Sequence, residues 1–302
     1  MTFSFDKAVG IAVAVCSFQF IQPMPAYAAD VAVTQESVAN RLNIAGSQRM
    51  LTQRMAKSFC YASIGVDTNQ NIEILRGAQD LYQRSHMGFR EGDENLNLFV
   101  ERNQLIINQW KEIDSNWRQL ARVYNTKLNQ GNVADADTGT VVDMTTELLK
   151  MNNDMATQMT TYYSKKIGQA GVGGAILIDL YGRQRMLSQK MSKELCLVAK
   201  GYDVEGSRTQ LQDTLGIFDA SLNAFINGLP EAGIPPAPSA EIKAQLELAK
   251  GHWDKVSAIA NTVAQGGSVD QNALVAFSQT MDVFLVEMNK AVSMLSEQTA
   301  KS

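Results

Sequence analysis

Apolar residues return at helical spacing along this chain. Ile44, Leu51, Met55 and Phe59 fall on one face of a helix, and Leu187, Met191 and Leu195 on one face of another. Long stretches rich in Gln, Met, Leu, Ala and Lys favour helix, and the period-two alternation of a strand is almost absent. Breaks at GVDTN, REGDEN and GNVADADTG divide the first half into four helical stretches. Breaks at GYDVEG, GLPEAGIPPAPS and AQGGS divide the second half in the same way. None of the six prolines interrupts a predicted helix. The pattern predicts an all-α protein of two tandem up-down-up-down four-helix bundles.

The two halves are copies. Gly46 to Cys60 reads GSQRMLTQRMAKSFC and Gly182 to Cys196 reads GRQRMLSQKMSKELC, with 9 of 15 residues identical. The same offset pairs Gly65 and Asp67 with Gly201 and Asp203, Phe89 and Gly92 with Phe225 and Gly228, and Trp117 with Trp253. A period this long marks a duplicated domain rather than a solenoid unit. We expect a first domain over 30–170 and a second over 171–302, with the seam at IGQAGVGGA, where the glycines allow a bend or a helix runs straight through.

Each copy of the motif opens its bundle and carries a second, unusual stripe. Leu42, Gly46, Arg49, Gln53, Ala56 and Cys60 share a face, as do Ile178, Gly182, Arg185, Gln189, Ser192 and Cys196. Small residues allow close approach, yet an arginine and a glutamine stand in the middle. In an up-down-up-down bundle the fourth helix ends beside the start of the first. The next copy therefore starts in the same direction, and the two motif helices can lie parallel about a pseudo-twofold axis, an intrachain pseudo-dimer. Arg49 then faces Arg185, Gln53 faces Gln189 and Cys60 faces Cys196. Two guanidiniums meeting in a partly dry interface repel and lose hydration. An anion between them removes that cost, because a guanidinium presents a planar fork of donors that fits a planar oxyanion. Gln53 and Gln189 can add neutral donors. The competing structural reading is a pair of arginines capped by carboxylates such as Asp179.

The segment NIAGSQRMLTQRMAK resembles the conserved segment of PilJ-type domains, the extracytoplasmic N-terminal domains of type IV pilus methyl-accepting transducers. Its AGSQRM core is similar to the nitrate-reading helix of NarX-like nitrate/nitrite sensor kinases. The resemblance implies helical bundles that hold nitrate or nitrite at their interface, one motif arginine from each half. Arg49 and Arg185 would be the ligands, and Gly46 and Gly182 would bring backbone close to the anion. Two departures make the halves unequal: Ser47 is matched by Arg183, and NIAG by DLYG, with Asp179 and Tyr181.

The N-terminus refines the picture. Lys7, the apolar run AVGIAVAVCSFQFI, two prolines and AYAAD read as a signal peptide over 1–29, cleaved after Ala28 or Ala29. Export to the periplasm would leave Cys60 and Cys196 as the two cysteines, in an oxidising compartment. At equal height on facing helices, they are expected to form a disulfide; the alternative is two buried free thiols. A net charge of −4 gives no nucleic-acid footprint. No Cys/His cluster has metal spacing, so no cofactor or metal is expected, and His86 and His252 read as packing or surface residues. No nucleophile–base pair points to an enzyme. Arg54, Lys57, Lys190 and Lys193 read as solvated faces, Met50 and Met186 as packing. The sequence thus predicts an exported binding protein for a small oxyanion, reporting to a membrane sensor, chemoreceptor or transporter. The second reading is a non-binding structural or interaction module of an envelope or pilus assembly.

Overall fold

The computed structural model describes residues 31–131, 133, 138–166 and 168–301; the predicted signal peptide lies outside them. Eight α-helices follow one another: α1 (Gln35–Ser63), α2 (Thr68–Glu91), α3 (Gln104–Asn129), α4 (Thr138–Ser164), α5 (Gly168–Lys200), α6 (Val204–Asn227), α7 (Ala240–Ala264) and α8 (Gln271–Lys301). Among the described residues no strand forms. The isolated bridge Asp93–Leu98 has its counterpart at the repeat offset in Leu229–Ile234. Helices α1 to α4 close one bundle and α5 to α8 the other.

Local chemistry sets the helix ends. The Thr34 hydroxyl accepts from the Ser37 amide while the Ser37 hydroxyl accepts from the Thr34 amide, a reciprocal cap on α1. Asn103 and Ser239 cap α3 and α7 in the same spirit, each accepting from backbone two or three residues on. The α1–α2 turn needs left-handed backbone at Gly65 (φ 77°) and Asp67 (φ 41°), and the α5–α6 turn repeats it at Gly201 (φ 77°) and Asp203 (φ 37°). Glycine enters that region without penalty and aspartate tolerates it. At the seam, α4 ends at Ser164 and α5 begins at Gly168, so the seam glycines lie in the first turns of α5.

The cores repeat as well. The Trp117 Nε1–H donates to Gln83 Oε1 and the Trp253 Nε1–H to Asp219 Oδ1, each at 2.6 Å and each from one buried indole to the neighbouring helix. Several core positions differ between the copies, His86 against Leu222 among them. His86 is buried, stacks on Trp110 with ring centroids 4.7 Å apart, and has Asp114 at 3.4 Å. Burial pushes its pKa down to about 4, against the pull of Asp114.

The two bundles share a centre. Helices α1 and α5 pack along each other, with α8 also against α1 and α4 against α5. Each motif helix is therefore enclosed by its own bundle on one side and by the other bundle on the other. In α1, 21 of 29 residues are buried, so the helix has no solvent face. This overturns the reading of the motif lysines and Arg54 as solvated. Lys57 is fully buried and donates to Asp282 Oδ1 at 2.7 Å; Lys193 is buried; Arg54 and Lys190 are half-buried, Lys190 donating to Thr214 Oγ1 at 2.7 Å. The expectation covered only the arginine stripe, by the facing motif helix, whereas α8 also packs on α1 and α4 on α5.

Near the far end of the contact, Cys60 and Cys196 form a disulfide with Cα atoms 6.2 Å apart, joining equivalent points across 136 residues of chain. Closing so long a loop constrains the unfolded ensemble. Replacing both cysteines by alanine should lower the unfolding free energy by about 5 kcal/mol on the chain-entropy model, measured by urea denaturation of the oxidised protein. Acid should also weaken the fold through His86. Its folded pKa lies below the ordinary 6.5, so the unfolded chain takes up the proton first, and stability present above pH 6.5 is lost as pH falls towards about 4. Denaturation midpoints across that window should fall less steeply in His86→Phe; an unchanged slope would refute the assignment.

Candidate functional site

At the centre of the α1–α5 contact the two backbones touch through glycine. A methyl group built on Gly46 would lie 3.7 Å from the Gly182 Cα, and one built on Gly182 the same distance from the Gly46 Cα. The same methyl on Gly46 would meet Arg185 Nη2 at 3.2 Å and Arg49 Nη2 at 3.3 Å. On Gly182 it would meet those nitrogens at 3.3 and 3.4 Å. Both guanidinium tips thus reach the small space beside the glycine pair, and any side chain at position 46 or 182 would press on them. The glycines are there because helix backbones and two arginine tips must share one crossing.

Each arginine reaches across to the opposite helix. Arg49 Nη2–H donates to Asp179 Oδ1 at 2.7 Å and, more weakly, to the Asp179 carbonyl at 3.4 Å. Arg185 Nη2–H donates to Asn43 Oδ1 at 2.9 Å and to the Asn43 carbonyl at 3.2 Å, while its Nη1–H donates to Asn289 Oδ1 at 3.1 Å. The two side chains are 1% and 3% exposed, so water cannot take over the role of a counter-ion. Burial drives the Arg49 pKa down and Asp179 pulls it back up. Arg185 pairs with no carboxylate among the described residues, and burial followed by the nearby Arg49 pushes its pKa down to about 9. It is a buried cation held by amide and carbonyl oxygens alone.

The donors are not used up. Nε and Nη1 of Arg49 and Nε of Arg185 make no hydrogen bond within the described structure. Gln53 is fully buried with both amide atoms unpartnered. Gln189, equally buried, gives one weak bond to Ser188 Oγ at 3.3 Å and leaves its Oε1 free, and the Ser192 hydroxyl is also unpartnered. Unpartnered polar atoms thus occur on both motif helices between the arginines and the disulfide cysteines in sequence. Buried polar groups in native proteins normally find partners. Beside the site, a cleft of about 620 Å³ opens between α1, the loop after α2 and α8, lined by Asn40, Asn43, Asn95, Asn97, Ser293 and Ser296 among others. Asn43 borders that cleft and holds Arg185.

Of the six expected ligand positions, Arg49, Arg185, Gly46 and Gly182 come together at the α1–α5 crossing, while Gln53 and Gln189 are buried on α1 and α5 respectively. Asn43 and Asn289 were not singled out from sequence. Asn43 had one available signal, its match to Asp179 at the repeat offset. Among the described residues no group of three or more metal-ligating side chains forms, and no helix is long and apolar enough to cross a membrane.

Known proteins place the chain in context. The family model described as the type IV pili methyl-accepting chemotaxis transducer N-terminal region, PilJ, matches residues 31–140 and 172–277, one match in each half. Methyl-accepting chemotaxis protein McpN of Pseudomonas aeruginosa is 33% identical over 119 residues, which is 39% of this chain and 22% of that protein. This chain thus aligns with about a fifth of that relative's length.

A buried cation without a carboxylate carries an uncompensated desolvation cost, which a well-packed apolar replacement removes. Arg185→Met should therefore raise the unfolding free energy by roughly 1–3 kcal/mol in buffer free of small oxyanions. Urea denaturation measures this; a loss of stability would mean that Arg185 is a structural strut.

Proposed function

The chain belongs to the PilJ family of type IV pili methyl-accepting chemotaxis transducer N-terminal domains, and from that premise we propose that it is an exported sensory protein that holds one small planar oxyanion, nitrate or nitrite, between α1 and α5. The single observation that carries the reading is the meeting of two buried guanidiniums with unspent donors at a glycine crossing. Arg49 and Arg185 supply charge and a planar fork on either side. Gln53 and Gln189 supply neutral donors below them. Gly46 and Gly182 keep the space open. Because the half-sites come from two copies on one chain, the stoichiometry is one anion per chain.

Signalling follows from the same contact. A ligand shifts only an equilibrium whose two states bind it differently. Separation of α1 from α5 at the arginines changes the site, while the disulfide fixes their distance further along. The response is then a change of angle about that fixed point, read by a membrane partner such as a chemoreceptor, sensor or transporter. The second reading, a non-binding structural or interaction module, has one observation in its favour: Asp179 already satisfies part of Arg49.

Calorimetric titration with nitrate, nitrite and other small oxyanions separates the two. One nitrate or nitrite should bind per chain. Arg49→Ala and Arg185→Ala should each weaken it by at least roughly a hundredfold, the worth of a pair of charge-assisted hydrogen bonds. Lysine at either position should not restore binding, since its ammonium lacks the fork. Two ions per chain would break the shared-site arrangement, and no binding by any small oxyanion would leave the module reading standing.

A further inference from the structure

The two motif arginines make the same crossing bond to residues of different charge. Arg49 reaches the side chain and carbonyl of Asp179; Arg185 reaches the side chain and carbonyl of Asn43. Asn43 and Asp179 stand at the repeat offset, so they are one position in two copies. The geometry is shared and the charge is not. The other oxygen of Asp179 accepts from Arg183 Nε at 3.1 Å, and Arg183 stands where the first copy has Ser47. Arg183 is half exposed, whereas Arg49 is buried. The two departures of the second copy therefore form one unit, a carboxylate suspended between an inner and an outer cation.

A carboxylate on a guanidinium is chemically what a small planar oxyanion would be there: oxygens in a plane carrying one negative charge. Asp179 sits on Nη2 of Arg49, the tip that approaches both glycines. We propose that Asp179 is a built-in competitor of the anion. It occupies Arg49 when the site holds no ligand; the arriving oxyanion takes its place, and Arg183 keeps the released carboxylate. The inference rests on the oxyanion reading above and adds what sets its strength. With half of the positive charge neutralised in advance, the site binds more weakly than two free arginines would. It also disfavours a divalent anion, whose second charge finds one uncompensated cation in place of two. Asp179 is thus a specificity-determining residue that touches the ligand's binding partner rather than the ligand.

Titration of the purified protein with nitrate and with sulfate tests this. Asp179→Asn places here the amide that the first copy already carries, so the position accommodates it. That variant should bind nitrate about tenfold more tightly, the worth of one displaced charged hydrogen bond, and its affinity for sulfate should rise by a larger factor. Asn43→Asp adds a carboxylate opposite Arg185 and should weaken nitrate by a similar factor, which keeps the test alive if one variant folds poorly. Without anion, Asp179→Asn should melt at a lower temperature than the natural protein, and nitrate should restore it. If the natural protein binds nitrate and Asp179→Asn binds it no more tightly, the competition is overturned while the oxyanion site stands. Nitrate binding by Asp179→Asn but not by the natural chain would uphold the competition and overturn the reading of the natural chain as a nitrate receptor. Binding by neither would overturn both.

Discussion

Two like charges buried at one helix crossing are the constraint around which this protein is arranged. A guanidinium a few per cent exposed must be surrounded by acceptors, and a second one beside it raises the demand. The fold meets it asymmetrically, with a carboxylate for Arg49 and three amide or carbonyl oxygens for Arg185. The glycines, the parallel run of α1 and α5 and the position of α8, which brings Asn289, together put those acceptors within reach. A side chain at position 46 or 182 would press on both arginine tips, 3.2–3.4 Å from the first added carbon.

Duplication within one chain has a consequence that a symmetric pair of subunits cannot have. In a homodimer every substitution appears twice, so a carboxylate on one side is a carboxylate on both. Here Asp179 and Arg183 diverge from Asn43 and Ser47 while the motif arginines, glutamines, glycines and cysteines keep their identity. His86, buried in the first bundle only, shows the same freedom in the cores. Those motif residues are held constant, while the acceptors beside them and the cores are free to differ.

The fold was readable because repetition and periodicity are local signals. Turn residues such as Gly65 and Asp67 recur at one offset, and their left-handed backbone explains why those residue types recur. The two tandem bundles and the family resemblance followed from the same strings. The placement of Lys57 was not readable. A helical wheel assigns one face to water, and the repeat that pairs the two motif helices does not say that α8 covers the Lys57 face as well. The acceptors of Arg185 were hidden for another reason. Asn43 lies on the opposite helix, and the reach of an arginine across a crossing depends on an angle that spacing does not encode. Asp179 was noticed because a charge replaced an amide, and charge is visible in sequence where geometry is not.

The disulfide gives the site a property that sequence repeats alone would not secure. A pocket built from two separate subunits exists only when both are present, so its occupancy depends on how much protein the cell makes. Here the halves are on one polypeptide and are bonded at equivalent points, which replaces a bimolecular encounter by a fixed effective concentration. Dilution cannot separate the two halves of the crossing. The two motif arginines stay neighbours at any protein concentration, from the first molecule that folds and is oxidised.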